Sequence, residues 1–178
     1  MTPIDYHPFY CEENIWKLCN HAHLQGNKQK VIFISNKDRC CAVWHMRNAA
    51  SVVDPVLWDY HVILAVHQNH HWEIWDPDSA LGLPCQASLY LEQSFQPHTP
   101  PPYQPRFRVV NKEDFLRFFQ SDRSHMVRKD QTAPENPPPW PVITPGVSNL
   151  MQFIDMELDF YGKVLDLDSL RLELSNID

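Results

Sequence analysis

One cysteine, one histidine and two aspartates in this chain are spaced in a way that suits acyl-transfer chemistry. Cys11 stands immediately before Glu12 and Glu13, and Ile15, Leu18, Cys19 and Ala22 follow at helical spacing. That stripe predicts an amphipathic helix over residues 12–24, with two acids in its first turn, where negative charge suits the helix dipole. Cys11 then lies at or just before the helix start. A thiol attacks a carbonyl or amide carbon as its thiolate. A helix N-terminus lowers a thiol pKa and leaves backbone N–H groups free for an oxyanion. Cys11 is therefore the candidate nucleophile. The competing reading of the same position is a small apolar core residue.

The histidine and its acid come from a hairpin. Residues 56–66 (VLWDYHVILAV) and 72–76 (WEIWD) read as strands joined by the polar turn HQNHH. A loop at Gln68-Asn69 sets His61 opposite Asp76. A loop at Asn69-His70 sets His61 opposite Asp78, with Asp76 on the diagonal. Both registers put the carboxylates on the His61 face. A carboxylate beside an imidazole fixes its tautomer and stabilises the imidazolium. The order Cys, His, Asp, with the acid on the strand after the histidine, is the layout of papain-like and transglutaminase-like enzymes. A purely structural His–Asp pair is the competing reading.

These residues need elements to hold them. Residues 31–35 (VIFIS) and 41–46 (CAVWHM) read as two more strands, and residues 106–110 (RFRVV) as a later one. Asn111 is expected to cap a helix to about Phe119, and Ser148 one to about Met156. The segment from Lys163 to Leu174 suggests a short strand or turn and a closing helix. Residues 121–125 (SDRSH) form a polar loop, and the Pro-rich residues 134–145 an extended surface segment. The expected fold class is α+β, a mostly antiparallel sheet with a nucleophile-bearing N-terminal helix. At 178 residues the chain suits a single catalytic domain over 1–178.

Composition narrows the function. The net charge is −7 and Lys/Arg form no run, which argues against a nucleic-acid partner. The acidic balance mildly favours substrates with a positive end. No apolar run suits a membrane span, and the opening residues do not read as a signal peptide. Five cysteines without a C-x-x-C pair argue against a disulfide framework and a structural zinc site. A cluster of His61, His67, His70 and His71 with Cys11 lacks metal-ligand spacing, so no metal is expected. A reducing compartment fits, with a cytoplasmic protein expected and the nucleus as a further setting.

Several segments carry a family resemblance. Residues 58–62 read WDYHV. Residues 10–19 (YCEENIWKLC), Phe33-Ile34-Ser35-Asn36, residues 121–126 (SDRSHM), a Pro-Pro-Trp-Pro run and the Asn149–Ile154 segment add to it. Together they resemble the WDYHV-motif family, the protein N-terminal glutamine amidohydrolases. The resemblance implies a papain-like, metal-free, cofactor-free and monomeric enzyme. Its triad would be Cys11, His61 and Asp76, which decides between the two aspartates left open by the hairpin. It implies deamidation of an N-terminal Gln on proteins or peptides to Glu, through a thioester, feeding an N-degron pathway. Such a site needs an anchor for the substrate α-ammonium, for which Glu12, Glu13, Asp78 and Asp122 are candidates. The His-rich turn departs from the family pattern, and the last twenty or so residues carry no matching motif. Two alternatives stand beside this reading: a cysteine protease or transglutaminase-like acyl transferase, and a non-catalytic module that binds N-termini.

Overall fold

A computed structural model describes residues 4–127 and 136–175. Its centre is a six-stranded sheet in the order β6-β5-β4-β1-β7-β8. The strands are β1 (Lys28–Ser35), β4 (His61–Gln68), β5 (His71–Trp75), β6 (Cys85–Gln86), β7 (Arg106–Asn111) and β8 (Lys163–Leu165). Every neighbouring pair is antiparallel. A separate two-stranded sheet joins β2 (Cys41–Val43) to β3 (Val56–Trp58).

The central strand β1 explains the unbroken apolar run VIFIS. Val31 and Phe33 face one core, with Ile15, Leu18, Phe115, Phe119 and Phe153. Ile32 and Ile34 face the other, with Tyr90, Phe95, Phe107 and Leu170. A strand covered on both faces has no polar side to display, so it shows no alternation. The first core belongs to α1 (Cys11–Cys19), α3 (Lys112–Phe118) and α4 (Leu150–Ile154). The second belongs to α2 (Ala87–Ser94) and α5 (Leu167–Glu173). Each fully buried Ile, Leu or Phe contributes about 1.5–3 kcal/mol by leaving water.

The architecture is mixed α/β with an antiparallel sheet, as the sequence led us to expect. Several boundaries differ. The first helix starts at Cys11 and ends at Cys19, and a short 3-10 turn over Ala22–Leu24 takes up the rest of the expected span. The strand expected over 56–66 breaks at Asp59-Tyr60, and its two pieces serve different sheets. The strand expected over 41–46 stops at Val43. Asn111 and Asn149 precede their helices without a side-chain capping bond. The second of these helices runs only from Leu150 to Ile154, and Asn149, not Ser148, holds its N-cap position. Helix α2 and strand β6 escaped the sequence because ASLYLEQS is short and only weakly amphipathic. Of the Pro-rich 134–145 segment, residues 134 and 135 lie outside the described residues. Among the described residues no helix is long and apolar enough to cross a membrane.

Two buried polar clusters set the site. Arg108, on the central face of β7, donates to four backbone carbonyls, those of Phe153, Asp155, Leu158 and Tyr161. It fastens the loop after α4 to the sheet. Glu13 in α1 takes both arms of Arg123 at 2.6 and 2.7 Å and the indole N–H of Trp140 at 2.7 Å. That fork ties the SDRSH loop and the Pro-rich segment to the first turn of α1.

Candidate active site

The N-terminus of α1 meets the start of β4. Tyr10 precedes the helix and offers no side-chain cap, and the first intrahelical bond runs from the Asn14 amide to the Tyr10 carbonyl at 2.9 Å. The amides of the first turn therefore have no partner within the helix. The Cys11 thiol lies against the backbone N–H of Val62, one residue beyond His61. Asn14 holds the preceding segment in place, bonding the backbone N–H and carbonyl of His7 at 2.8 Å each.

The hairpin turn resolves the register. Asn69 and His70 both have positive φ, 51° and 64°, the backbone of a two-residue type I′ loop. Gln68 pairs with His71, and the ladder runs on to Leu64 opposite Trp75. Carried further, this register would set Asp78 opposite His61. The chain leaves the ladder first. At Asp76 it turns, with the Ser79 amide on the Asp76 carbonyl at 3.1 Å and the Asp78 amide on Asp76 Oδ1 at 3.0 Å. The turn brings Asp76 Oδ2 to 3.1 Å from His61 Nε2. A carboxylate only accepts, so Nε2 carries the proton in that bond and Nδ1 is left as the free nitrogen. Nδ1 is buried and has no hydrogen-bond partner among the described residues.

Each residue of WDYHV has a part here. Trp58 stacks on the His61 ring at 4.7 Å between centroids. Asp59 accepts the Tyr60 amide on its carboxylate and the Ser35 hydroxyl on its backbone carbonyl, holding the break between β3 and β4. Tyr60 donates to Glu12 Oε2 at 3.1 Å. His61 meets Asp76, and Val62 turns its side chain into the first core.

The electrostatics differ from the simplest expectation. Burial pushes the Cys11 thiol well up, and the negative charges of Glu12 and Asp78 add to that. The helix start alone would have lowered it. Burial pulls the His61 imidazolium down, yet Asp76, by charge and hydrogen bond, with Asp78 and Glu12 behind it, carries the net value upward. Three carboxylates thus favour cation and disfavour anion at this spot.

The four candidate ammonium anchors separate clearly. Glu13 is taken by Arg123 and Trp140. Asp122 bonds the Ser124 amide at 2.9 Å in an exposed loop turn, and that bonding lowers its pKa. Asp78 accepts from Tyr6 at 2.7 Å, and its burial raises its pKa. Glu12 is fully buried beside Cys11, its Oε2 3.7 Å from the sulfur. Ligand atoms of His61, Asp76 and Asp78 lie within 4.8 Å of one another, a spacing that a metal ion could bridge. Asp76 is already engaged there by His61 and by the Tyr90 hydroxyl at 2.8 Å. His67, His70 and His71 sit at the far end of the hairpin from His61.

Sequence reading missed Tyr90 and Tyr6, because no local pattern links a helix tyrosine or an N-terminal tyrosine to an aspartate over 70 positions away or on another element. His125, which it left between loop-ordering and site-lining roles, is 3.1 Å from Tyr60 Oη and 3.3 Å from Glu12 Oε1.

A histidine held by an acid, at the strand start against which the Cys11 thiol packs, is a setting suited to amide hydrolysis. Comparison with known proteins narrows it. The family model for N-terminal glutamine amidase matches residues 6–174, reaching into α5, beyond the motifs legible in the sequence. The chain is 38% identical over 161 residues to the human protein N-terminal glutamine amidohydrolase, covering 85% of this chain and 78% of that one. It is 38% identical over 172 residues to the cattle protein of the same name, covering 91% and 83%. The Arabidopsis thaliana protein of that name is 32% identical over 169 residues, covering 87% and 76%. The chain belongs to the N-terminal glutamine amidase family and so to the amidohydrolases.

Proposed function

We propose that this chain, as one catalytic domain of papain-like arrangement, removes the side-chain amide of an N-terminal Gln on proteins and peptides. The observation that carries the reading is the His61 ring, held through Nε2 by Asp76 with Nδ1 unpartnered, at the strand start against which Cys11 packs. In this mechanism Nδ1 takes the Cys11 proton as the sulfur attacks the carboxamide carbon. Amides of the first turn of α1 receive the oxyanion. His61 returns the proton to the departing nitrogen and ammonia leaves. The thioester that remains is hydrolysed by a water that His61 deprotonates, giving an N-terminal Glu that feeds an N-degron pathway.

Discrimination for a chain terminus requires a receptor for the α-ammonium at a fixed reach from Cys11. Glu12 and Asp78 are the two candidates not fully committed elsewhere, and Glu12 is the nearer to the sulfur by direct contact. Asn, one carbon shorter, would leave its carboxamide short of the nucleophile. The protein acts as a monomer on a free N-terminus and requires no metal or cofactor.

The deciding assay is ammonia release from a Gln-initial peptide beside Asn-initial, internal-Gln and N-acetylated versions. Release from the free Gln terminus alone, lost in Cys11→Ala, is expected. Turnover of internal Gln would replace this reading with a general deamidase or transglutaminase. Binding without turnover of any peptide would replace it with a recognition module.

A further inference from the structure

We propose that Glu12 is a lock on the nucleophile that the substrate's own α-ammonium opens, so that a free N-terminus switches Cys11 on as well as being held by the site. The inference rests on the amidohydrolase reading and adds how that site rejects blocked and internal glutamines.

The geometry is a second buried acid–histidine–tyrosine group. Glu12 is fully buried, yet only one of its oxygens accepts a hydrogen bond. Oε2 accepts from Tyr60 at 3.1 Å and faces the Cys11 S–H at 3.7 Å. Oε1 lies 3.3 Å from His125 Nε2 but has no hydrogen-bond partner among the described residues. His125 Nδ1, also buried, has none either. A buried carboxylate oxygen without a hydrogen bond is costly, so Oε1, which faces His125 without bonding it, can accept a donor. An ammonium supplies both the hydrogen bond and the compensating charge.

The charge balance around the sulfur gives the switch its direction. From α1 it is faced by Glu12, from the break before β4 by Tyr60, with His61 at the start of that strand, from the turn after β5 by Asp76 and Asp78, and His125 reaches the same cluster from the SDRSH loop. In the free enzyme the thiol proton points to Glu12, and the surrounding carboxylates oppose a thiolate. An ammonium on Glu12 Oε1 neutralises the nearest of those charges. The S–H bond then breaks toward His61, its proton passing to Nδ1, and the sulfur keeps the electron pair for attack. An N-acetylated or internal Gln brings no positive charge and leaves the thiol locked. This separates recognition of the α-amine into binding and activation, where a passive anchor would give binding alone.

The test is alkylation of Cys11 by iodoacetamide in the intact protein. A Gly-initial peptide presents an ammonium and leaves the side-chain space empty for the alkylator. Wild type should alkylate several-fold faster with that peptide and no faster with its N-acetylated form. Glu12→Gln should alkylate roughly tenfold faster at rest near neutral pH, one pKa unit's worth, and ignore the peptide. The wild-type comparison stands without any variant, should Glu12→Gln fold poorly. A Gly-initial peptide that leaves wild-type alkylation unchanged or slows it overturns the proposal. So does a response lost in Asp78→Asn and kept in Glu12→Gln. Ammonia release by wild type from a Gln-initial peptide, measured alongside, reports separately on the amidohydrolase reading: its absence sinks that reading, whereas its presence with an inert alkylation rate sinks the lock alone.

Discussion

Two buried groups near Cys11 have the same composition and opposite states of satisfaction. In one, Asp76 receives His61 at 3.1 Å and the Tyr90 hydroxyl at 2.8 Å on Oδ2, and the Asp78 amide on Oδ1. In the other, Glu12 receives Tyr60 at 3.1 Å on Oε2 and leaves Oε1 without a hydrogen bond, 3.3 Å from His125. A fully bonded carboxylate fixes its imidazole, which is what a base needs. A half-bonded one keeps an acceptor for the ammonium of the proposed lock. His61 Nδ1 and Glu12 Oε1, both buried without a hydrogen bond, are the atoms that the proposed chemistry and recognition would each use.

The sharpest break of this comparison comes from the reacting groups. Cys11→Ala and His61→Ala should each abolish ammonia release from a Gln-initial peptide, with urea unfolding showing a folded protein. Residual turnover above a hundredth of wild type would move the nucleophile or base elsewhere.

Asp76→Asn keeps the shape of the satisfied group and removes its charge. It should lower kcat by about 10³–10⁴-fold through loss of the correct tautomer. The pH profile gives a second readout. Asp76 contributes to raising the His61 pKa above its ordinary 6.5, against the pull of burial. A raised value means the imidazolium persists to higher pH, so the acid limb of kcat/KM should lie above 6.5 in wild type. In Asp76→Asn, burial would prevail and the limb should move down. An unchanged limb would show that Asp78 and Glu12, not Asp76, set it.

Glu13→Gln tests the neighbour that the comparison assigns to structure. It leaves Arg123 without its carboxylate partner, and breaking a largely buried pair typically costs about 3–5 kcal/mol, discounted here because Arg123 is partly exposed. A fall in the urea midpoint with KM for Gln peptides preserved is expected in the fraction that stays folded. A KM effect at full stability would return Glu13 to the list of anchors.

Tyr90→Phe removes one bond to Asp76 and nothing else at the site. A loss of kcat between about tenfold and about 150-fold is expected, since a hydrogen bond to a carboxylate contributes about 1.5–3 kcal/mol. Asp122→Asn should change neither kcat nor KM beyond about twofold, because its carboxylate serves an exposed loop turn. A larger KM rise would make that loop part of the ammonium receptor.

The sequence alone determined the kinds of chemistry available. A cysteine opening an amphipathic stripe, a histidine on an apolar strand and an acid after the next strand are local patterns of period 3.6 and 2, and such patterns persist in the fold because burial enforces them. The continuous runs in β1 and β4, the hairpin and the closing strand and helix were legible for that reason. Which acid serves His61 was not. Asn69 and His70 chose a register that favours Asp78, and the turn at Asp76 then overrode it through two backbone bonds. The break at Asp59-Tyr60 was equally hidden, since VLWDYHVILAV reads as one strand until two sheets compete for its halves. The Glu12–Tyr60–His125 group draws on residues up to 113 positions apart, which no window of sequence contains. Spacing fixes what a segment buries. Only the packing of α1 against the end of β4, with the SDRSH loop laid over both, decides which buried polar atoms end with a partner and which are left open for a substrate.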